Sequence, residues 1–425
     1  MGYSRRTVLA VVALTSAAGI VISAQVGFDQ AIADLSSPDA AVRLKTAQHL
    51  RTAAYPEAAV PLTPLLADKQ DAVQLEAIGA ELNIFLEDSI PSRKGVDIEV
   101  TKRSKTSAEK AFADGPLALS YRTVPNEVLA ALRTAAHDDN PRVSVEALYA
   151  FGALAVEPTG LARRALLKES APELTAMLGA REESQRRAAV RVIARVFEKR
   201  PGDEPVDEEL GDAMIRTLND KDRLVKLGAM DALGAMKYER SEQALTELFK
   251  FYGKGEFAEA TLNALARLEA PSTAGLLTDQ LTSKQAACRG IAVEGLTRLP
   301  GIAKLKTMED TLAKEREESV QLALAFAATK LEGAPLDKIG EAVVTSRMHD
   351  QAKGYLMEIA PGHAQLLERL VQDPDSRMRF EVAEVLMLAG DSSALPQATR
   401  LASDSDPIVA RAGTRAVARL RTRAQ

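Results

Sequence analysis

The chain has one cysteine, Cys288, and no tryptophan in 425 residues. A single thiol excludes an intrachain disulfide and leaves the redox compartment open. Phe and Tyr together make up only 4% of the chain, so a ligand pocket walled by aromatic rings is not indicated. The four histidines, His49, His137, His349 and His363, are far apart. Metal ligands must converge, and this spacing does not suggest a histidine metal site. No glycine-rich phosphate loop and no HExxH, CxxC or GxSxG pattern occurs, so no cofactor is indicated. Strand formers are sparse. Ala, Leu, Glu, Arg and Lys dominate, and these are the strong helix formers. The formal net charge is -5, which argues against a broadly basic surface, and no nucleic-acid partner is expected.

What the chain does contain begins with an export-like N-terminus. Arg5 and Arg6 precede an uncharged, mostly apolar run from Val8 to Ile22, followed by Ser23-Ala24. The run is short for a spanning helix, which needs about 20 apolar residues. Residues 1–24 therefore read as a signal peptide or an N-terminal anchor. Ser4-Arg5-Arg6-Thr7-Val8-Leu9 resembles a twin-arginine export motif, departing from it at Val8 and Ala10. The implied location is periplasmic or extracellular. The alternative is attachment to the outer face of the inner membrane through residues 7–24, which would place the chain near a membrane.

The rest of the chain repeats one pattern. It is apolar at position 0, small at +4, Ala or apolar at +7 and +8, often Gly at +9, and apolar at +11, the stripe of an amphipathic helix. Val225, with Ala229, Ala232, Leu233, Gly234 and Met236, is the cleanest copy. Other copies start at Val42, Val73, Val143, Phe257, Cys288, Val320, Met378 and Val409, with weaker ones at Arg186 and Ala352. Val42 to Val73 and Phe257 to Cys288 are 31 residues apart, and Cys288 to Val320 is 32. An apolar segment such as Val128-Leu129-Leu132 precedes each copy. Each repeat is thus a first helix, a turn and a second helix, and stacking buries faces that one pair cannot bury alone. Pro with Asp or Asn just before the second helix, as in Asp139-Asn140-Pro141 and Asp406-Pro407, suits a first helical turn. Cys288 sits at an apolar position and reads as a buried, inert thiol.

The stretch Asp138 to Leu154, DDNPRVSVEALYAFGAL, resembles HEAT repeats. At a period of ~31 residues it is nearer the short HEAT-like repeats of phycobilisome lyases than longer HEAT units. The resemblance implies an all-α, right-handed α-solenoid of about eleven antiparallel helix pairs. It implies little about activity, since such folds serve many roles.

Repeats are expected over 25–87 and again over 126–425, where a C-terminal capping helix ends the array. Between them, 88–125 does not follow the pattern. Val96, Ile98 and Val100 alternate as in a strand, and a short helix is expected through Phe112. A degenerate repeat could also hide in this interval. Long excursions from compact arrays tend to carry function, which makes Arg93, Lys94, Lys102, Arg103 and Lys105 candidate partner-binding residues. Arg187, Arg191, Arg195 and Lys199 form a stripe at four-residue spacing, as do Arg411, Arg415, Arg419 and Arg423. The terminal stripe reads as a polar cap, and the inner one is a further partner-binding candidate. Cations also follow the anchor at Arg43, Arg187, Lys226, Arg289, Lys353 and Arg379. This ladder reads as pairing between repeats or as an anion-binding ridge. The expected function is an exported scaffold binding a protein or peptide in the cell envelope, without enzymatic activity. The alternatives are a lyase- or isomerase-type enzyme working on a ligand in the concave groove, and a nucleic-acid-binding HEAT-like protein.

Overall fold

A computed structural model describes residues 27–94, 97–103, 106–120, 122–156, 159–299, 301–302, 304–345 and 347–423. The expected signal segment, 1–24, lies outside them. No helix of the described residues is long and apolar enough to cross a membrane.

The chain divides into two packed bodies. The first takes in the described parts of Met1–Asp88, Lys102–Ala113 and Arg122–Leu154; the second is Ser89–Thr101, Asp114–Tyr121 and Ala155–Gln425. Both are built of helix pairs, and the second helices are numbered here in chain order. The first body has α1 (Ala40–Ala53), α2 (Asp71–Phe85) and α3 (Pro141–Leu154). The second has α4 (Glu183–Val196), α5 (Arg223–Met236), α6 (Glu256–Leu268), α7 (Ala286–Thr297), α8 (Glu318–Glu332), α9 (His349–Ile359), α10 (Ser376–Ala389) and α11 (Pro407–Arg423).

Within each body consecutive second helices lie side by side, and first helices such as Glu242–Tyr252 and Leu395–Ala402 pack against the second helix that follows. This is the all-α solenoid class. The anchors supply the core: Val143, Val225, Cys288, Val320 and Ala352 are fully buried. Burial pushes the Cys288 thiol up from its ordinary value, which suits an inert side chain. Gly234 marks a close approach, since a Cβ there would stand 2.9 Å from the Ala264 Cα.

The turns are built as the Pro and Asp pattern implies. The amides of Ala41, Arg142, Arg377 and Ile408 donate to the side chains of Asp39, Asn140, Asp375 and Asp406 at 2.8–2.9 Å. These side chains satisfy helix-start amides that have no partner within the helix.

One register differs from the sequence reading. In α4 the buried set is Gln185, Ala189, Val190, Val192, Ile193 and Val196, so the anchor is Gln185 and not Arg186. A polar residue occupies a place that is apolar elsewhere, which hid the register.

The interval before α3 holds no extra repeat. Helix α2 packs directly on α3, the Gln74 amide donates to Asp138 at 2.8 Å, and the Asn140 amide donates to Asp71. The interval instead contains a two-stranded hairpin, β1 (Ser89–Lys94) and β2 (Asp97–Lys102), then a helix Ala108–Asp114 and a single 3-10 turn Gly115–Ala118. Ile98 and Val100 lie in β2, and Val96 is outside the described residues.

Candidate functional site

Three of the six ladder cations, Arg43, Arg289 and Arg379, make one repeated joint. Arg43 donates through Nε and Nη2 to both Asp68 oxygens (2.6 and 2.9 Å), and through Nη1 to the Ser37 and Pro38 carbonyls (2.8 and 3.2 Å). Arg289 does the same to Glu315 (2.6 and 3.0 Å) and to the Ser283 and Lys284 carbonyls (2.9 and 3.4 Å). Arg379 repeats it with Asp404 and the Asp373 and Pro374 carbonyls. In α4 the residue in this role is Arg186, bound to Asp220 and to the Ala180 and Arg181 carbonyls. That is the position after the corrected anchor. Each acid also accepts from an amide two residues on, as Glu315 does from Glu317 at 2.9 Å. The paired guanidinium and these amides hold Asp68 and Asp404 below the usual carboxylate range, and Glu315 falls to about 2. At these joints the cations are committed to acids of the next turn, so Arg43, Arg289 and Arg379 couple repeats rather than form an anion ridge.

A second set of charged and aromatic side chains lies on a different face. Helix periodicity brings positions +3, +6 and +10 from the anchor onto one face of each second helix. In the second body that face carries Arg191 and Arg195 on α4, Glu294 on α7 with Arg298 just past its end, Phe326 and Lys330 on α8, Tyr355 and Glu358 on α9, Glu381 and Glu384 on α10, and Arg415 and Arg419 on α11. Arg191 and Lys330 are exposed and the others are half-buried or buried among neighbours. Arg298 donates to Glu358 at 3.0–3.3 Å, and Lys330 approaches the same carboxylate at 3.8 Å. Tyr355 donates its hydroxyl to Glu294 and accepts from Gln351 at 2.6 Å. Its ring stacks on Phe326 with centroids 4.4 Å apart, and the Arg298 guanidinium lies 5.7 Å from the Phe326 ring centre. Lys353 pairs with Glu384 and, at 2.9 Å, with the fully buried Glu381, which His349 also approaches at 3.3 Å. His349 is therefore part of a charge cluster and not a solvent-facing histidine, whereas His49, His137 and His363 are exposed.

Electrostatics favour fixed charges here over proton transfer. Burial and then the adjoining Glu294 push the Tyr355 phenol far above its ordinary value, so it stays a donor. Burial lowers Arg298, but Glu358 and Glu294 outweigh it and leave the guanidinium raised.

The structure distributes the candidate residues unevenly. Arg187 is held by Asp222 (2.5 and 2.9 Å) and Glu183 (3.2 Å). Arg191 and Arg195 lie on the +6/+10 face; burial lowers Arg195, with Glu198 opposing that shift. Arg103 pairs with Asp88 at 2.7 Å and Lys102 is exposed. Arg93 and Lys94 end β1, and Lys105 lies outside the described residues. The terminal stripe departs from its expected role as a solvated cap. Arg411 is exposed, but Arg419 is only 3% exposed, and Arg415 donates to the Leu117 carbonyl at 2.6 Å.

That contact comes from the non-repeat segment. In the second body the 115–118 turn packs on α10 and β1. Gly115 lies beside the Arg195 guanidinium, where a Cβ would stand 3.9 Å from Nη1. In the first body the helix 108–114 covers the corresponding face of α3. The Ala108 amide donates to Glu146, at +3, and the Phe112 ring lies 5.3 Å from that of Tyr149, at +6. Sequence reasoning missed this face because its mixture of Glu, Arg, Phe and Lys shows no pattern until the anchors are aligned.

No family model matches the chain, and no curated protein matches it. Solved structures similar to it include an engineered protein (17% identity, TM-score 0.42, covering 92% of this chain and 98% of that one). Kap95p bound to RanGDP is similar at 14% identity and TM-score 0.37, over 91% of this chain and 50% of that one. A designed armadillo repeat protein in complex with a (KR)4 peptide shares 17% identity at TM-score 0.37, over 64% and 98%. At these scores the likenesses add nothing to the fold assignment, which rests on the helix packing.

Proposed function

We propose that the protein is an exported binding scaffold of the cell envelope, built of short HEAT-like repeats, that holds a protein or peptide partner against the +6/+10 face of α4 to α11. The observation that carries this reading is the fixed network from Glu294 through Glu384. Charged and aromatic side chains from four successive helices are locked by one another before any partner arrives, and this lowers the ordering cost of binding. The buried Phe326 and Tyr355 rings hold the half-buried Arg298 guanidinium in place from beneath. The export-like N-terminus supports the envelope location.

Two experiments test this. Selection of a random peptide library on the purified chain is expected to enrich binders that lose about tenfold in affinity, roughly 1.4 kcal/mol, on Arg298→Ala. No enrichment, or binders indifferent to that change, would overturn the binding reading. N-terminal sequencing of the chain from fractionated cells is expected to find envelope protein starting near residue 25. A cytosolic chain beginning at Met1 would overturn the export reading.

A further inference from the structure

We propose that the +6/+10 face takes a short, uncharged peptide turn through a main-chain carbonyl, and that residues 115–120 of the protein's own chain hold that place until a partner displaces them. The inference rests on the binding role proposed above and specifies its ligand.

Three observations carry it. First, Arg415 reaches a backbone carbonyl 298 residues away, that of Leu117. Recognition of a carbonyl by a guanidinium is independent of the residue presenting it, so another chain of similar bulk offers the same acceptor. Second, the segment is built to lie flat. Gly115-Pro116-Leu117-Ala118-Leu119 has one tight turn, with Gly115 at φ +63°, followed by extended Leu119. Gly115, Ala118 and Leu119 are buried although none belongs to a repeat. Third, the segment meets the face on helices distant in sequence: Gly115 beside Arg195 of α4, the 115–118 turn on α10, and Leu117 on Arg415 of α11. Arg195 is at +10 and Arg415 at +6, the positions that elsewhere on this face form the charged network. A structural tie would need only one such contact; a segment following the face across these helices makes the contacts a bound peptide would make.

The same face in the first body is covered by the helix 108–114 through Glu146 and Tyr149. The non-repeat stretch therefore lies on that face in each body considered alone, and it is attached at a position that leaves the repeats complete. Self-occupancy lowers apparent affinity by the fraction of molecules whose face is free.

The test uses the full chain and a fluorescein-labelled synthetic peptide of residues 111–122, AFADGPLALSYR. In the double variant Ala118→Asp/Leu119→Asp two buried apolar positions acquire charge, which unseats the internal segment. The labelled peptide is expected to bind this variant at least about tenfold more tightly than it binds the wild type. Adding Arg415→Ala is expected to abolish that gain. In the single variant Arg415→Ala, amide hydrogen exchange at Leu117 to Leu119 is expected to be faster than in the wild type while α7 and α8 amides stay protected, a readout that does not depend on the double variant folding. Equal binding to wild type and double variant, or no effect of Arg415→Ala on both binding and exchange, overturns the proposal. If library peptides bind wild type and double variant equally well, the face is a binding surface without an internal competitor. This inference then fails while the scaffold reading stands.

Discussion

The joint between Arg289 and Glu315 lends itself to a quantitative test. Arg289 makes four hydrogen bonds, two to a carboxylate and two to carbonyls, with its side chain 17% exposed and that of Glu315 6%. Glu315 is lowered from its ordinary 4.5 to about 2, first by the Arg289 hydrogen bond and further by the amides of Glu317 and Arg316, against a smaller opposing effect of burial. A shift of that size corresponds to at most about 3 kcal/mol. The pair lies near solvent, and screening reduces the expected coupling to about 1–2 kcal/mol. Because the folded value is depressed, this stability is present above pH 4.5 and is lost as pH falls from 4.5 toward 2. The double-mutant cycle of Arg289→Ala and Glu315→Gln isolates the term. Repeat arrays need not unfold in one step, so the readout is urea-dependent hydrogen exchange of α7 and α8 amides at pH 7 and pH 3. Arg289→Ala alone is expected to cost about 2–3 kcal/mol at pH 7, since it also strips two carbonyls of their donor. A coupling below about 0.3 kcal/mol at pH 7, or one unchanged at pH 3, would refute the joint as a source of stability.

Three further outcomes are expected. Glu81 is fully buried on α2 at the +8 position, where every other repeat carries an apolar residue; neither carboxyl oxygen has a hydrogen-bond partner, and burial raises the group well above its ordinary 4.5. The raised group makes the fold lose about 1.4 kcal/mol per pH unit above 4.5 until the folded value is reached. Glu81→Leu should therefore stabilise the first body, by more at pH 7 than at pH 4.5, in thermal melts across pH. Gly413→Ala should destabilise α11 by about 3 kcal/mol, because the new Cβ would stand 2.3 Å from the Ala402 backbone nitrogen. Urea melts checked by α11 amide exchange would read this, and an unchanged midpoint would refute the close approach. Tyr355→Phe leaves the Glu294 carboxylate without its hydroxyl donor and should cost about 1–2 kcal/mol. The same change should weaken peptides selected on the wild-type chain, whereas a purely structural tyrosine would leave their affinities unmoved.

Much of the fold was legible because the stacking core repeats. A Val, Cys or Met every 31 or so residues, with Ala or Gly at +4 to +9, states both the helix face and the spacing. The register failed only where the core departs from its own rule, at Gln185, whose polar side chain made Arg186 look like the anchor. The candidate site was less readable. Arg187 and Arg195 stand eight residues apart on one helix, yet one is bound to Asp222 while the other lies beside Gly115. Nothing local distinguishes them. The fate of Arg415 was further out of reach, since its acceptor is a carbonyl almost 300 residues away and carbonyls leave no trace in residue identity.

The joints also bear on how such an array changes length. Arg43 reaches Asp68 and Arg379 reaches Asp404 across the same 25 residues, and Arg289 reaches Glu315 across 26. These three couplings share one geometry, an Arg fork on a carboxylate, although the fourth, Arg186 to Asp220, spans 34 residues. A whole repeat excised between two of these points would leave the Arg of the upstream repeat facing an acid of equivalent geometry downstream. Gene duplication or unequal recombination can therefore lengthen or shorten the stack without inventing a new contact, so repeat number is free to follow the size of whatever the scaffold carries.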